Sequence, residues 1–230
     1  MHVGNGRGAA YGDAISRILS SSGYKVQKEY YINDAGRQMD ILTASVFLRI
    51  FESELDNFFP RNAYKGSYIS EIAMAFRDKN NCNLDIDGHA LIKDLPQDEE
   101  KEIDELILRI KTTYEAWPKI KSFALEEVLK TIKEDLESFN VSFDNWYSES
   151  SVGKLDESKS EMKNGIDTLV ERKLENEENG ANWFDIRKSG DEKKREVVIE
   201  DGKNNTLASE ITAQEDKRDR VEVEMLEPEN

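Results

Sequence analysis

A histidine two residues ahead of a glycine, at the entrance to a helix, is the arrangement in this sequence best suited to chemistry: His2-Val3-Gly4-Asn5-Gly6-Arg7-Gly8. Glycine lets a bulky anion approach the backbone. A helix N-terminus offers N–H groups, and an imidazole can donate to charge that develops on a phosphate. The chemistry implied is phosphate binding by His2, Gly4 and Asn5. The same glycine-rich lead-in also serves as a plain helix cap, and the residues alone leave both readings open.

The elements that must hold this segment follow from periodicity. Gly4 to Gly6 reads as a flexible lead-in, with Asn5 or Gly6 near the N-cap. Ala9, Ile15, Ile18, Leu19 and Ser22 then keep helical spacing, and Gly23 is the expected C-cap. Tyr24 to Ile32 alternates as a strand does, and Asn33-Asp34-Ala35-Gly36 turns the chain. A long helix follows, with Met39, Leu42, Val46, Phe47, Ile50 and Phe51 on one stripe. Past Pro60, Ser67 to Phe76 reads as a short helix and residues 83–97 as turns. Glu99 to Trp117 and the stretch from Pro118 to Leu136 read as two amphipathic helices joined at Trp-Pro, a helical hairpin. Phe139 to Trp146 alternates like a strand, Leu155 to Leu174 is helical, and short strands are expected near 182–185, 196–200 and 206–211. From Gln214 onward there are seven acidic and three basic residues and little periodicity, as in an unstructured tail.

Composition narrows the function classes. The 230 residues carry 32 Lys plus Arg against 48 Asp plus Glu, a net charge of −16. Nucleic acid is held mainly by cations that displace counterions, so this chain is not a free-standing DNA or RNA binder. One cysteine, Cys82, excludes an internal disulfide framework. No apolar run is long enough to span a membrane, and the N-terminal residues lack a signal-peptide pattern, so the expected compartment is the cytoplasm. With two histidines, no Ser/His/Asp or Cys/His set assembles. Asp85-Ile86-Asp87-Gly88-His89 has the opening spacing of a calcium loop but lacks the later oxygen ligands, so a surface turn is expected and no metal ligand is assigned. Trp117, Trp146 and Trp183 sit among apolar neighbours, which suits core packing.

The run from His2 to Leu42 resembles the region around the first ATP signature of arginyl-tRNA synthetases, class I enzymes whose motif reads His-x-Gly-His with Asn allowed at the fourth place. Here it is His2-Val3-Gly4-Asn5. Gly12-Asp13-Ala14 and Tyr30-Tyr31-Ile32-Asn33-Asp34-Ala35-Gly36-Arg37-Gln38 are similar to the same family. So are Phe143-Asp144-Asn145-Trp146-Tyr147-Ser148-Glu149-Ser150, Gly180-Ala181-Asn182-Trp183-Phe184 and Gly190-Asp191-Glu192-Lys193-Lys194-Arg195. The resemblance implies an α/β, partly Rossmann-like class I nucleotide-binding fold with a helical insertion. It implies ATP with Mg2+, arginine and tRNA as ligands. His2 and Asn5 would act as catalytic groups, hydrogen-bonding the ATP phosphates or ribose in the transition state, with Gly4 leaving room for the adenine. Asp34 and Gln38 would support the floor of the site or simply cap a turn.

Three departures qualify what this stretch does alone. The strand and N-terminal domain that precede the signature in that family are not among these residues. The positions aligned with the family's arginine-recognising Tyr and Asp hold Thr206 and Glu210, a pair that departs from the pattern because Glu reaches one methylene further and Thr supplies no aromatic wall. No Lys-Met-Ser-Lys type loop occurs, and Lys193-Lys194-Arg195 reads as solvated surface. The expected organisation is a first catalytic part at 1–54, a helical insertion at 55–138, a return segment at 139–213 and an acidic tail at 214–230. The expected activity is arginine–tRNA ligation by the complete enzyme, with this chain inactive alone. The alternative is a non-catalytic remnant or a helical interaction module.

Overall fold

The computed structural model describes residues 3–80 and 86–152, the strands at 175–178, 181–184 and 195–198, and single positions at 167 and 212. The chain divides into two compact units, residues 1–36 with 136–230 and residues 37–135.

In the first unit, helix α1 (Val3–Ser21) leads to strand β1 (Glu29–Ile32). It starts earlier than the glycines suggest: Gly4, Asn5 and Gly6 lie inside its first turns and do not form a lead-in. The helix ends as expected. Gly23 takes φ of +93°, and the amides of Gly23 and Tyr24 return to the carbonyls of Ser20 and Leu19. Only glycine adopts that backbone freely. β1 pairs in parallel with β2 (Asn145–Ser148), placing Tyr30 opposite Trp146 and Tyr31 opposite Tyr147. A 3-10 turn at Glu149–Val152 follows. Parallel strands need a long crossover; here the residues of the second unit supply it.

Both strands are shorter than their alternation predicts. Pairing begins at Lys28, whose carbonyl accepts the amides of Asp144 and Asn145. Residues 24–27 therefore precede the strand. On the other side, Phe139 to Val141 terminate a helix: the amides of Phe139 and Val141 both return to Leu136, and Asn140 sits at φ of +57°. A left-handed residue cannot continue an extended strand.

The strands at 175–178, 181–184 and 195–198, β3 to β5, form an antiparallel sheet in sequence order. β4 and β5 fall near the expected strands. β3 reads Glu-Asn-Glu-Glu, which carries no strand signal. The expected helix at 155–174, strand at 206–211 and tail from Gln214 lie outside the described residues, apart from position 167.

The second unit is helical: α2 (Gly36–Ile50), α3 (Ser67–Lys79), α4 (Gly88–Ile92), α5 (Glu99–Thr113) and α6 (Trp117–Ser138), the last running on into the first unit. Every position from Ile41 to Leu48 of α2 is buried, more than the single stripe expected. Such a helix lies at the centre of a bundle. Its polar members are satisfied locally: Thr43 and Ser45 hydroxyls donate to the carbonyls of Met39 and Ile41, and Ser45 Oγ also accepts the Tyr64 amide. Phe47 is fully enclosed, with ring centroids 4.9 Å from Phe51 and 5.4 Å from Tyr114. Helix α5 stops at Thr113, four residues short of the expectation, because Tyr114 leaves the helix to pack in this core. Asp98 caps α5 by accepting from the Lys101 amide, and Glu99, Glu100 and Glu102 suit its positive end.

The stretch expected to be turns holds α4. Asp87 is its N-cap, accepting from the Ala90 amide, and Arg109 of α5 donates to the carbonyls of Leu91 and Lys93 at its far end. Gly88 is buried, and a Cβ placed on it would lie 1.8 Å from the Glu54 carbonyl oxygen. Backbone cannot yield as a flexible side chain does. Gly88→Ala is therefore expected to destabilise this unit by roughly 1–3 kcal/mol. Urea unfolding followed by circular dichroism checks this, and an unchanged midpoint would show that α4 lifts away at no cost.

Candidate functional site

Gly4 and Asn5 sit in the first turn of α1, at the positive end of its dipole. Gly4, Gly8 and Gly12 recur every four residues and so share one helix face. Together with Asn5 they line a cleft of about 580 Å3 in the first unit, whose other wall includes Lys28, Tyr30 and Tyr31. A Cβ at Gly8 or Gly12 would meet nothing within 4 Å. The α1 backbone is therefore open to whatever enters the cleft. Its volume is within the range of about 300–1,000 Å3 usual for small-molecule sites.

The buried side of α1 differs from its expected apolar stripe. Gly6, Asp13 and Ser16 are the buried residues, whereas Ile15, Ile18 and Leu19 are exposed, and Val3 and Tyr11 more so. Gly6 faces the Phe139 ring, close enough that an added Cβ would lie 3.4 Å from it. Asp13 accepts from Arg17 Nε at 2.6 Å and from Lys28 Nζ at 3.0 Å. Its side chain is 9% exposed. These bonds hold its carboxyl below the usual range, Lys28 contributing most and Arg17 next. A depressed carboxyl stabilises the fold fully above the unfolded value of 3.8, and the benefit fades as pH falls through the lower folded value.

The wall beyond is aromatic. Tyr30 stacks on Trp146 at 4.6 Å and meets the edge of Phe143 at 5.3 Å. Burial raises the Tyr30 phenol above its usual pKa. At the carboxyl ends of the two strands, Asp34 fastens one to the other. It accepts from the hydroxyls of Ser148 and Ser150 and from the Ser150 amide at 2.8 Å. Beside it the Asn33 amide nitrogen, in its satisfied orientation, donates to Glu149 Oε2 at 3.0 Å and to the Ala35 carbonyl. Glu149 is 4% exposed. Ligands of open α/β sheets bind beyond such strand ends.

Of the residues singled out from sequence, Gly4 and Asn5 meet at the cleft, and Asp34 closes the strand ends. Gln38 is exposed in the first turns of α2, in the other unit. His2, Thr206 and Glu210 lie outside the described residues, as do Cys82 and the lysines at 193 and 194. Sequence reasoning missed Asp13 and its partners. The Asp13–Arg17 spacing of four was visible in the sequence; the approach of Lys28 was not. Among the described residues no group of three or more His, Cys, Asp or Glu could hold a metal ion, and no helix is long and apolar enough to cross a membrane.

A helix that opens beside the cleft, followed by parallel strands joined through a helical crossover, defines a Rossmann-like α/β nucleotide-binding fold with a helical insertion. Comparison with known proteins gives the particular family. The catalytic domain of "tRNA synthetases class I (R)" matches residues 1–226, so the chain belongs to that family. An arginine–tRNA ligase of Acinetobacter baumannii (strain AYE) is 36% identical over 249 residues, which take in 99% of this chain and 41% of the relative. One from Legionella pneumophila (strain Corby) is 38% identical over 229 residues, covering 96% and 38%. A crystal structure from Campylobacter jejuni described as an arginyl-tRNA synthetase superposes with a TM-score of 0.69 at 30% identity, over 96% of this chain and 42% of that one. The chain thus spans about two fifths of the length of the relatives it matches.

Proposed function

We propose that this chain is the signature-bearing front part of the catalytic domain of an arginine–tRNA ligase, which activates arginine with ATP and passes it to tRNA. What carries the proposal is the family match along residues 1–226, with its nucleotide signature at the start of a helix that lines a cleft of suitable size. His2 and Asn5 would hydrogen-bond the ATP phosphates or ribose, and Gly4 would leave room for the adenine. The glycine face of α1 fits such a group, since no side chain stands between its backbone and the cleft. Mg2+ would be carried on the phosphates, where it spreads their developing charge. The step itself, attack of the arginine carboxylate on the α-phosphorus with the bond to pyrophosphate breaking and pyrophosphate leaving, needs positioning and charge stabilisation more than acid–base chemistry.

Arginine and tRNA would be held largely by parts of the longer enzyme beyond these residues. Thr206 and Glu210 are the positions that would face arginine, and both depart from the family's pattern. Such a ligase would act in the cytoplasm. The 230-residue chain alone is expected to show no ATP–pyrophosphate exchange above background when given arginine and tRNA. Turnover well above background would contradict that expectation. A stably folded chain that binds none of the three ligands would favour the non-catalytic alternative.

A further inference from the structure

Helix α1 lacks what usually fixes a helix on a sheet. Its large apolar residues, Val3, Tyr11, Ile15, Ile18 and Leu19, are exposed, with Ile15 and Leu19 bordering the cleft, and on its covered side Gly6 meets the Phe139 ring. Polar anchors add to that contact. Gly6, Asp13 and Arg17 fall on one face at helical spacing, apart from the face of Gly4, Gly8 and Gly12. Arg17 and Lys28, which grip Asp13, are themselves tied to the chain ahead of β2. Arg17 Nη2 donates to the Asn140 carbonyl at 3.2 Å, and Lys28 Nζ reaches Ser142 Oγ at 3.4 Å. The Lys28 amide also donates to the Asp144 carboxylate at 2.7 Å. One carboxylate thereby joins α1 to the segments that lead into both parallel strands.

We infer that Asp13 is a positioning residue: clasped by Arg17 and Lys28, it sets the rotation of α1 so that the Gly4, Asn5 and Gly8 backbone faces the nucleotide cleft. This rests on the nucleotide reading proposed above. Asp13 itself borders the cleft, as does Lys28; the role assigned to it is exerted through the rotation of the helix.

The test uses the 230-residue chain in two arms. In the first, amide hydrogen exchange is followed for residues 5–12, with the α5 amides as a control for folding. Asp13→Asn keeps size and polarity but removes the charge. It is expected to speed exchange in residues 5–12 on the order of tenfold while α5 is unchanged. Asp13→Glu, which keeps the charge, is expected to recover most of the protection. In the second arm, Mg·ATP at millimolar concentration is titrated while the amide resonances of Asn5 and Gly8 are observed. The wild-type resonances are expected to shift, with roughly tenfold weaker apparent affinity in Asp13→Asn and a near-normal one in Asp13→Glu. Wild-type exchange in Asp13→Asn, or equal affinity with and without the charge, would overturn the inference. A wild-type chain whose resonances ignore Mg·ATP would instead overturn the nucleotide reading, and with it the functional half of the inference, whatever the first arm gives.

Discussion

Replacing His2 by alanine in this chain, once it is completed with the flanking segments of a relative such as the Acinetobacter baumannii ligase, is expected to lower kcat by about 10²–10³-fold with far less change in KM for ATP. The magnitude is what loss of one preorganised donor to a developing oxyanion typically costs. The split between kcat and KM follows because a donor aimed at transition-state charge contributes little to ground-state binding. Asn5→Ala should act in the same direction, since Asn5 is the fourth residue of the same signature and its helix turn borders the cleft. Steady-state exchange kinetics give both parameters. An unchanged kcat in the His2 variant would remove the imidazole from the chemistry and leave the segment as a helix cap.

Phe47→Ala is expected to reduce the stability of the helical unit by roughly 3–5 kcal/mol. Phe47 has no exposed surface and touches Phe51 and Tyr114 through its ring, so truncation opens a cavity between α2 and the end of α5. The walls of that cavity cannot easily close. Leu48, Leu106 and Ile110 are equally enclosed and stand on helices already pinned by their own contacts. Ion pairs at the surface will not compensate. Arg37 with Asp104 and Lys79 with Glu127 are half-exposed pairs of the kind that contributes little. Urea denaturation monitored at the helix band measures the difference, and a loss below about 1.5 kcal/mol would show that the bundle repacks around the gap.

The longer helices of that bundle are legible because each carries its own signal. Ile103, Leu106, Ile107 and Ile110 repeat at helical spacing, and Asp98 with three following acids marks the start of α5. Short α4 was hidden because five residues cannot show a period. Its stability comes from contacts distant in sequence, the Arg109 guanidinium and the Glu54 backbone. The stretch Phe139–Trp146 misled for a different reason. Its alternation is real, but the first residues are committed to ending α6, so only the last two of the expected residues enter the strand at Asn145–Ser148.

The candidate site divides along the same line. Gly4 and Asn5 are legible as site candidates from their place in the signature, but the face shared by Gly4, Gly8 and Gly12 is not, because the glycines read as a lead-in and the structure puts them inside α1. The clasp of Asp34 on Ser148 and Ser150 is not legible either, since its partners are more than a hundred residues away in sequence. The facing of α1 is not legible in the sequence. Helical period tells which residues share a side, and Ile15, Ile18 and Leu19 do, but it does not tell whether that side is covered. In these 230 residues the covered side holds Gly6, Asp13 and Ser16.

The most direct measurement is arginine-dependent ATP–pyrophosphate exchange by the completed chain, with tRNA present and each other amino acid tried in turn. The proposed function predicts exchange with arginine and none above background with the rest. Exchange driven by a different amino acid, or none at all from a folded protein that still carries His2, Gly4 and Asn5, would contradict it.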